Sequence, residues 1–152
     1  MKQRSWSAFS LIEVTLALGI AAVCLLAVMG LIPIAVQTNR NATSQTAANG
    51  IIASVIADMR ATTSSTSLQY NITFGTCRKL YFDGAGQVVA SVVCSNNAVP
   101  PATSRYRLNV SFPTSPAGLS YADLRVTWPA PVDPTTTTPS GSVEIFAAFD
   151  RN

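Results

Sequence analysis

The stretch FSLIEVTLALGIAAVCLLAVMGLIPIAV, residues 9–36, decides how this chain is organised. After Glu13 it continues for about 23 residues without a charge, which at 1.5 Å per residue is long enough to cross a bilayer. Lys2 and Arg4 precede it, so the positive-inside rule keeps the N-terminus in the cytoplasm and sends the remainder outward. The sequence therefore predicts one membrane-spanning helix near the N-terminus.

Two other kinds of signal fit the same stretch less well. An ordinary secretory signal has an apolar core of about 7 to 15 residues and then a cleavage site between small residues. This run is longer, and no convincing site follows it. A lipoprotein signal would use Cys24, but the bulky Val23 stands directly before it. A helix that is retained explains the stretch better than either.

Glu13 is the one charged residue within the apolar stretch. A carboxylate in a spanning helix costs about 2.5 to 3.5 kcal/mol on insertion scales, and less near the interface. An α-amine is a cation near neutral pH, and opposite charges about 4 Å apart attract by roughly 4 kcal/mol at an effective dielectric of 20. An amine beside Glu13 would therefore offset the cost. The alternative is a glutamate that is merely tolerated at the headgroup level.

The leader and the start of the stretch together resemble a known processing signal. A basic polar leader is followed by Ala8 and then by FSLIEV, residues 9–14, which is similar to the class III signal of type IV prepilins and type II secretion pseudopilins. The resemblance implies that a prepilin peptidase cuts between Ala8 and Phe9 and that the new amine of Phe9 is N-methylated. Ala8 stands where most members have glycine. Glu13 takes the fifth mature position, where the family has its glutamate.

The resemblance also implies a role and a location. A subunit of this family sits in the inner membrane with a periplasmic head until the pilus or secretion machinery packs its helix against identical or related subunits. Phe9 and Glu13 are four residues apart, so the amine of the same chain or of a neighbour can reach the acid. The family favours the neighbour, which makes Glu13 an assembly residue. The alternative function is a single-pass, membrane-anchored periplasmic protein that binds a partner without polymerising.

A narrower resemblance rests on both ends of the chain. The apolar stretch, followed by LRVTWPAP (124–131) and AAFDRN (147–152), is similar to the prepilin-like protein B of the Verru_Chthon cassette. This subgroup brings no chemistry that can be assigned to particular residues.

Gly30 and Pro33 predict a break in the helix. Pro33 has no N–H to donate to the carbonyl of Met29, and Gly30 lies in the turn that this frees. We expect a kink or a local unwinding at this point.

Four segments follow from these patterns: a leader (residues 1–8), a membrane or filament-core helix (9–36), an amphipathic helix half (37–64) and a head (65–152). In the amphipathic half, apolar residues recur at helical spacing and form one stripe, and the helix is predicted to end near Thr62. The stripe consists of Ile51, Ile52, Val55, Ile56 and Met59.

The head has a period of two, which is typical of strands with one buried face. Alternation in RYRLNVSF (105–112), DLRVTW (123–128) and VEIFAAF (143–149) predicts an antiparallel sheet of four to six strands covered by the helical stripe. The fold class is therefore α+β and pilin-like, with a long N-terminal helix packed on a C-terminal sheet. The predicted inner residues are Tyr106, Leu108, Val110, Phe112, Leu124, Val126, Trp128, Val143, Ile145, Ala147 and Phe149.

Cys77 and Cys94 flank a predicted hairpin whose turn is DGAG, residues 83–86. A register that pairs Gly84 with Gln87 places the two cysteines directly opposite, about 4.5 to 5.5 Å apart at Cα, which a disulfide can span. Such a bond stabilises by about 3 kcal/mol in the chain-entropy model and implies an oxidising compartment. Two unrelated buried thiols are the alternative.

Composition argues against an enzyme and against a nucleic-acid-binding protein. The 152 residues include no histidine, which removes the commonest general base and the commonest zinc ligand. Asp83 beside two glycines favours a turn over a calcium loop, since one carboxylate is too few. We predict no cofactor, no metal and no catalytic site. The acids that could form one are spread over unrelated places: Asp58, Asp83, Asp123, Asp133, Glu144 and Asp150.

Two surface features complete the predictions. Arg105, Arg107 and Arg125 would share the outer sheet face, and solvation alone explains their alternation with apolar residues, so no nucleic-acid partner is predicted. The segment PAPVDPTTTTPSGS (129–142) has no core-forming pattern and predicts an exposed, mobile connection between the last two strands.

Overall fold

A computed structural model describes residues 10–95, 98–113 and 120–149 of the chain. It divides into two compact units, Met1–Arg40 and Asn41–Asn152, and the second contains the sheet and the last part of the helix. The predicted α+β class is confirmed: one long N-terminal helix is packed on an antiparallel sheet. In the described residues the elements are α1 (Leu11–Ala61), β1 (Arg78–Phe82), β2 (Val88–Val93), β3 (Tyr106–Ser111), β4 (Ser120–Trp128) and β5 (Gly141–Phe149).

The sheet has the order β2-β1-β3-β4-β5, and each neighbouring pair is antiparallel. β2 and β5 are therefore its edges. Because side chains alternate between faces, the register divides the sheet into an inner face, which packs on α1, and an outer face.

The core lies between the inner face and one side of α1. The predicted stripe is confirmed, with Ile51, Ile52, Val55 and Met59 buried and Ile56 half-buried. Ala48 is also buried and extends the stripe toward the N-terminus of α1. The sheet contributes Leu80, Phe82, Tyr106, Leu108, Val110, Ala122, Leu124, Val126, Ala147 and Phe149.

The helix ends at Ala61, close to the predicted Thr62. The hydroxyl of Thr62 donates to the carbonyl of Asp58 at 2.7 Å, and the Asp58 carboxylate accepts from the backbone N–H groups of Gln69 and Tyr70, both at 3.3 Å. One acid in the last turn thus holds the chain that turns back toward the sheet.

One predicted inner residue lies on the expected face but is not buried. Ile145 lies on the inner side of β5 opposite Leu124, but it is 38% exposed. β5 is an edge strand, so its middle has a neighbouring strand on one side only. Periodicity assigned the correct face to Ile145, but it could not indicate how much of the inner face is buried at the edge of the sheet.

The hairpin of β1 and β2 confirms the disulfide between Cys77 and Cys94, whose Cα atoms are 5.4 Å apart. The strands pair with the predicted register from Arg78, opposite Val93, to Tyr81, opposite Ala90. The backbone N–H of Cys94 also donates to the carbonyl of Cys77 at 3.2 Å.

The register at the turn differs from the prediction. A bulge after Tyr81 pairs Phe82 with Val88, and the N–H of Asp83 donates to the carbonyl of Gln87 at 3.0 Å, so Gly84 and Gln87 are not partners. The Asp83 carboxylate accepts from the N–H groups of Ala85 and Gln87, both at 2.9 Å. Asp83 therefore serves a turn, as predicted, and its local bonds shift the pairing by one residue.

Candidate assembly helix and head surfaces

The first part of α1 has no cover within the described chain. Its large apolar side chains are exposed on every side, from Leu11 (82%) to Val36 (45%), and it forms a candidate membrane span. An apolar surface of this extent is unfavourable in water and is typical of a helix surrounded by lipid or by other helices. Cys24 is exposed on the same surface.

Glu13 lies in the first turn of α1, and its backbone N–H donates to the carbonyl of Ser10 at 3.0 Å. Ser10 directly precedes the helix, so the two residues have the Ser-x-x-Glu spacing of a capping box. A carboxylate there also interacts favourably with the helix dipole, by about 0.3 to 1 kcal/mol. This local reason for an acid was not predicted, although the spacing is visible in the sequence.

Other predicted site residues of this unit fall into two groups. Ala8 and Phe9 lie outside the described residues, so cleavage, methylation and the pairing of an amine with Glu13 stay predictions. Gly30 and Pro33 lie within α1, which is continuous from Leu11 to Ala61. The local unwinding is therefore not found in this range, and a kink stays a prediction.

The outer face of the head corrects the predicted position of Arg107. Its side chain is 4% exposed, and its guanidinium lies 3.0 Å from the carboxylate of Asp133 and 5.7 Å from the centre of the Tyr81 ring. Tyr81, Arg107 and Thr127 stand side by side on β1, β3 and β4, and all three are buried. Arg107 is thus not part of a solvated basic patch.

The segment 129–142, which was predicted to be exposed and mobile, is held to the sheet by several contacts. Ala130 is buried, and its N–H donates to the carbonyl of Arg105 at 2.9 Å. The Asp133 carboxylate accepts from the hydroxyl of Thr135 at 2.7 Å and from its N–H at 2.9 Å. These two bonds, and then Arg107, lower the pKa of Asp133 to about 2. The loop therefore supplies the counter-charge of a buried arginine.

Asp123 and Glu144 are neighbours, although the sequence placed them in unrelated regions. Asp123 lies opposite Phe146 and Glu144 opposite Arg125, so the two acids are diagonal on the outer face of β4 and β5. Burial, and next the negative charge of Glu144, raise the pKa of Asp123. Glu144 is exposed, and the residues that the structure describes contain no group of three or more metal-ligating side chains.

No family model, curated protein or solved structure matches the chain. Its function therefore has to be inferred from its own residues.

Proposed function

We propose that the chain is a prepilin-like structural subunit of a type IV pilus or a type II secretion pseudopilus. It is inserted in the inner membrane with the head in the periplasm, cut between Ala8 and Phe9 by a prepilin peptidase, methylated on Phe9 and packed into a filament through α1. Its partners are identical or related subunits and the assembly machinery.

The observation that carries the proposal is Glu13 at the start of an apolar helix that the rest of the described chain leaves uncovered. An uncovered apolar helix fits a lipid environment and equally fits a bundle of identical helices. A lone acid at its start gives the bundle a reason for one register, because it pairs with the amine of a neighbour. The Cys77–Cys94 disulfide is consistent with a head in an oxidising compartment.

The mature N-terminus separates this proposal from the anchored alternative. We expect mass spectrometry of the protein from purified filaments to find a chain that begins at methylated Phe9. A membrane protein that keeps Met1 and forms no filament would overturn the proposal in favour of a non-polymerising anchor.

Variants of Glu13 separate the role of its charge in assembly from its role in the helix cap. Glutamine serves in a capping box as glutamate does, but it carries no charge. We therefore expect Glu13→Gln and Glu13→Leu each to lower the number of filaments more than tenfold, because roughly 4 kcal/mol of charge attraction is lost. Filaments are counted by electron microscopy, and the amount of protein in the membrane fraction is measured in parallel.

The matched control is Ser10→Ala, which weakens the cap and keeps the charge. We expect it to leave the number of filaments within about twofold, since a cap contributes only about 1 kcal/mol. Filaments at the parent level in the Glu13→Gln variant would show that capping, and not a charge pair, accounts for the acid.

A further inference from the structure

Both edges of the sheet are open in the part of the chain that the structure describes. There β2 pairs with β1 alone, and β5 pairs with β4 alone. An edge strand offers a row of unpaired N–H and C=O groups to another strand, and most proteins block it with lysine, proline or a bulge. β2 has no charged residue, and its bulge lies at the turn, which leaves the register regular from Ala90 to Val93.

The two edges also expose apolar side chains. Val93 at the end of β2 is 54% exposed, and Phe146 in the middle of β5 is 69% exposed. Val89 and Ile145 are exposed beside them. These side chains would gain from burial against another sheet edge.

The charges near the two edges are complementary. Near β5 the outer face carries the acids Asp123 and Glu144 with one cation, Arg125, so its net charge is negative. Near β2 it carries Lys79 of β1. Lys79 and Glu144 belong to one row across the sheet, through Asn109 and Arg125. The Lys79 ammonium donates to the carbonyl of Ser95 at 3.0 Å, and among the described residues it forms no salt bridge.

Distance prevents these two groups from pairing within one chain. Three strand spacings separate Lys79 from Glu144, or about 14 Å at 4.8 Å each. If β5 of one copy lay beside β2 of the next, two spacings would remain, or about 10 Å, and a lysine and a glutamate side chain reach across that span. Burial is the main cause of the raised pKa of Asp123, and the charge of Glu144 adds to it, so a cation from the next copy would offset the second of these causes.

We propose that heads of neighbouring subunits join edge to edge, with β5 of one copy parallel to β2 of the next and Glu144 facing that copy's Lys79 across β2. Strand order and antiparallel pairing make β2 and β5 run in the same direction, so a shifted copy continues the sheet with both faces preserved. Such a head-to-tail contact can repeat from copy to copy, and it builds a filament when the rotation between copies does not close a ring. The inference rests on the proposed function and adds the contact between heads.

The competing arrangement is a closed pair of β5 strands. A twofold axis would place the Asp123 and Glu144 of both copies on one face, so four carboxylates would be close together, and β2 would stay unpaired. The test is designed to separate this outcome from the proposal.

Cross-linking identifies the strands that meet. Ser142 and Ala90 stand in one row of the outer face, at β5 and β2. In a Cys24→Ser background, one chain carries Ser142→Cys and a second chain carries Ala90→Cys. Both chains are expressed in the same host cells, which also contain a pilus assembly system. We expect a short bis-maleimide to give a dimer that contains one chain of each kind. A dimer from Ser142→Cys chains alone would instead indicate β5 against β5 and overturn the proposal.

Charge reversal tests the pairing of Lys79 with Glu144. We expect Lys79→Glu and Glu144→Lys each to lower the yield of the mixed dimer at least fivefold, and the chain with both changes to return to within twofold of the parent. Arg60→Glu, an equal reversal at the exposed end of α1, is the control and should leave the yield unchanged. Single reversals without effect, or a double variant as poor as the single ones, would overturn the proposal.

Failure here is distinguishable from failure of the proposed function. Filaments that depend on Glu13 but give no mixed dimer would leave the subunit role standing and remove the edge contact. A chain that keeps Met1 and forms no filament would remove the subunit role, and the mixed-dimer yield in membranes would then decide the edge contact separately.

Discussion

Arg107 is buried beneath the loop between β4 and β5, with its guanidinium 3.0 Å from the Asp133 carboxylate. A buried charge that loses its partner is strongly unfavourable, so the pair ties the loop to the sheet. The side chain of Asp133 is 31% exposed, which weakens the pair relative to a fully buried one.

The pH dependence of stability tests this pair. The pKa of Asp133 is lowered in the folded chain from 3.8 to about 2, so its stabilisation is complete above the ordinary pKa and is lost as the pH falls through about 2. We expect the parent to lose about 1 to 2 kcal/mol of unfolding free energy from this group between pH 5 and pH 2. Asp133→Asn should lack that loss and be less stable at pH 7 by about 2 to 3 kcal/mol.

Urea unfolding of the detergent-solubilised chain at several pH values provides the measurement. Asp123 acts with the opposite sign, since its raised pKa makes the charged form unfavourable and its contribution improves as the pH falls. The difference between parent and variant at each pH therefore isolates Asp133. A variant with the stability and the pH profile of the parent would contradict the role of the pair.

At the scale of elements, the pairing of β4 with β5 begins at a tight contact. Trp128 lies opposite Gly141, and a Cβ on that glycine would meet the indole ring. Trp128 also packs against Tyr106 at 6.3 Å between ring centres. Glycine at position 141 therefore leaves the space that the indole ring of Trp128 occupies.

Gly141→Ala is expected to displace Trp128 and to lower the unfolding free energy by about 1 to 3 kcal/mol. Trp6 belongs to the predicted leader, so the tryptophan emission of the processed chain reports on Trp128. The matched control is Gly84→Ala, where the nearest atom, Cδ of Arg105, is 3.8 Å away and the change should be within about 0.5 kcal/mol. Equal stability and equal emission for both alanine variants would contradict the contact.

At the scale of the whole molecule, the core formed by the described residues lies in one unit. Its buried residues run from Ala48 to Phe149, all within Asn41–Asn152. The Cys77–Cys94 disulfide lies in the same unit. This unit therefore has what a separate domain requires, and the exposed apolar helix half does not contribute to its core.

A chain that begins at Asn41 is expected to fold without detergent and to unfold cooperatively, with a free energy of about 5 to 10 kcal/mol. Circular dichroism during urea titration measures this. The same chain with Cys77→Ser and Cys94→Ser should be less stable by about 3 kcal/mol. A non-cooperative transition would mean that residues before Asn41 are needed for the fold.

The sequence by itself determined the features that depend on local periodicity. The stripe from Ile51 to Met59 and the alternation in the strands each assign a residue to a face, because helix and strand have fixed periods. The hairpin register brought Cys77 and Cys94 together for the same reason, since it is set by a short stretch of chain.

Only the tertiary structure decided which charged and apolar side chains are covered. Arg107 and Arg125 have the same alternation in the sequence, but the loop that carries Asp133 lies over Arg107. Asp123 and Glu144 became neighbours, and Ile145 stayed exposed, because β4 pairs with β5 and β5 is an edge. Such outcomes depend on which segments distant in the chain meet, and no local period contains that information.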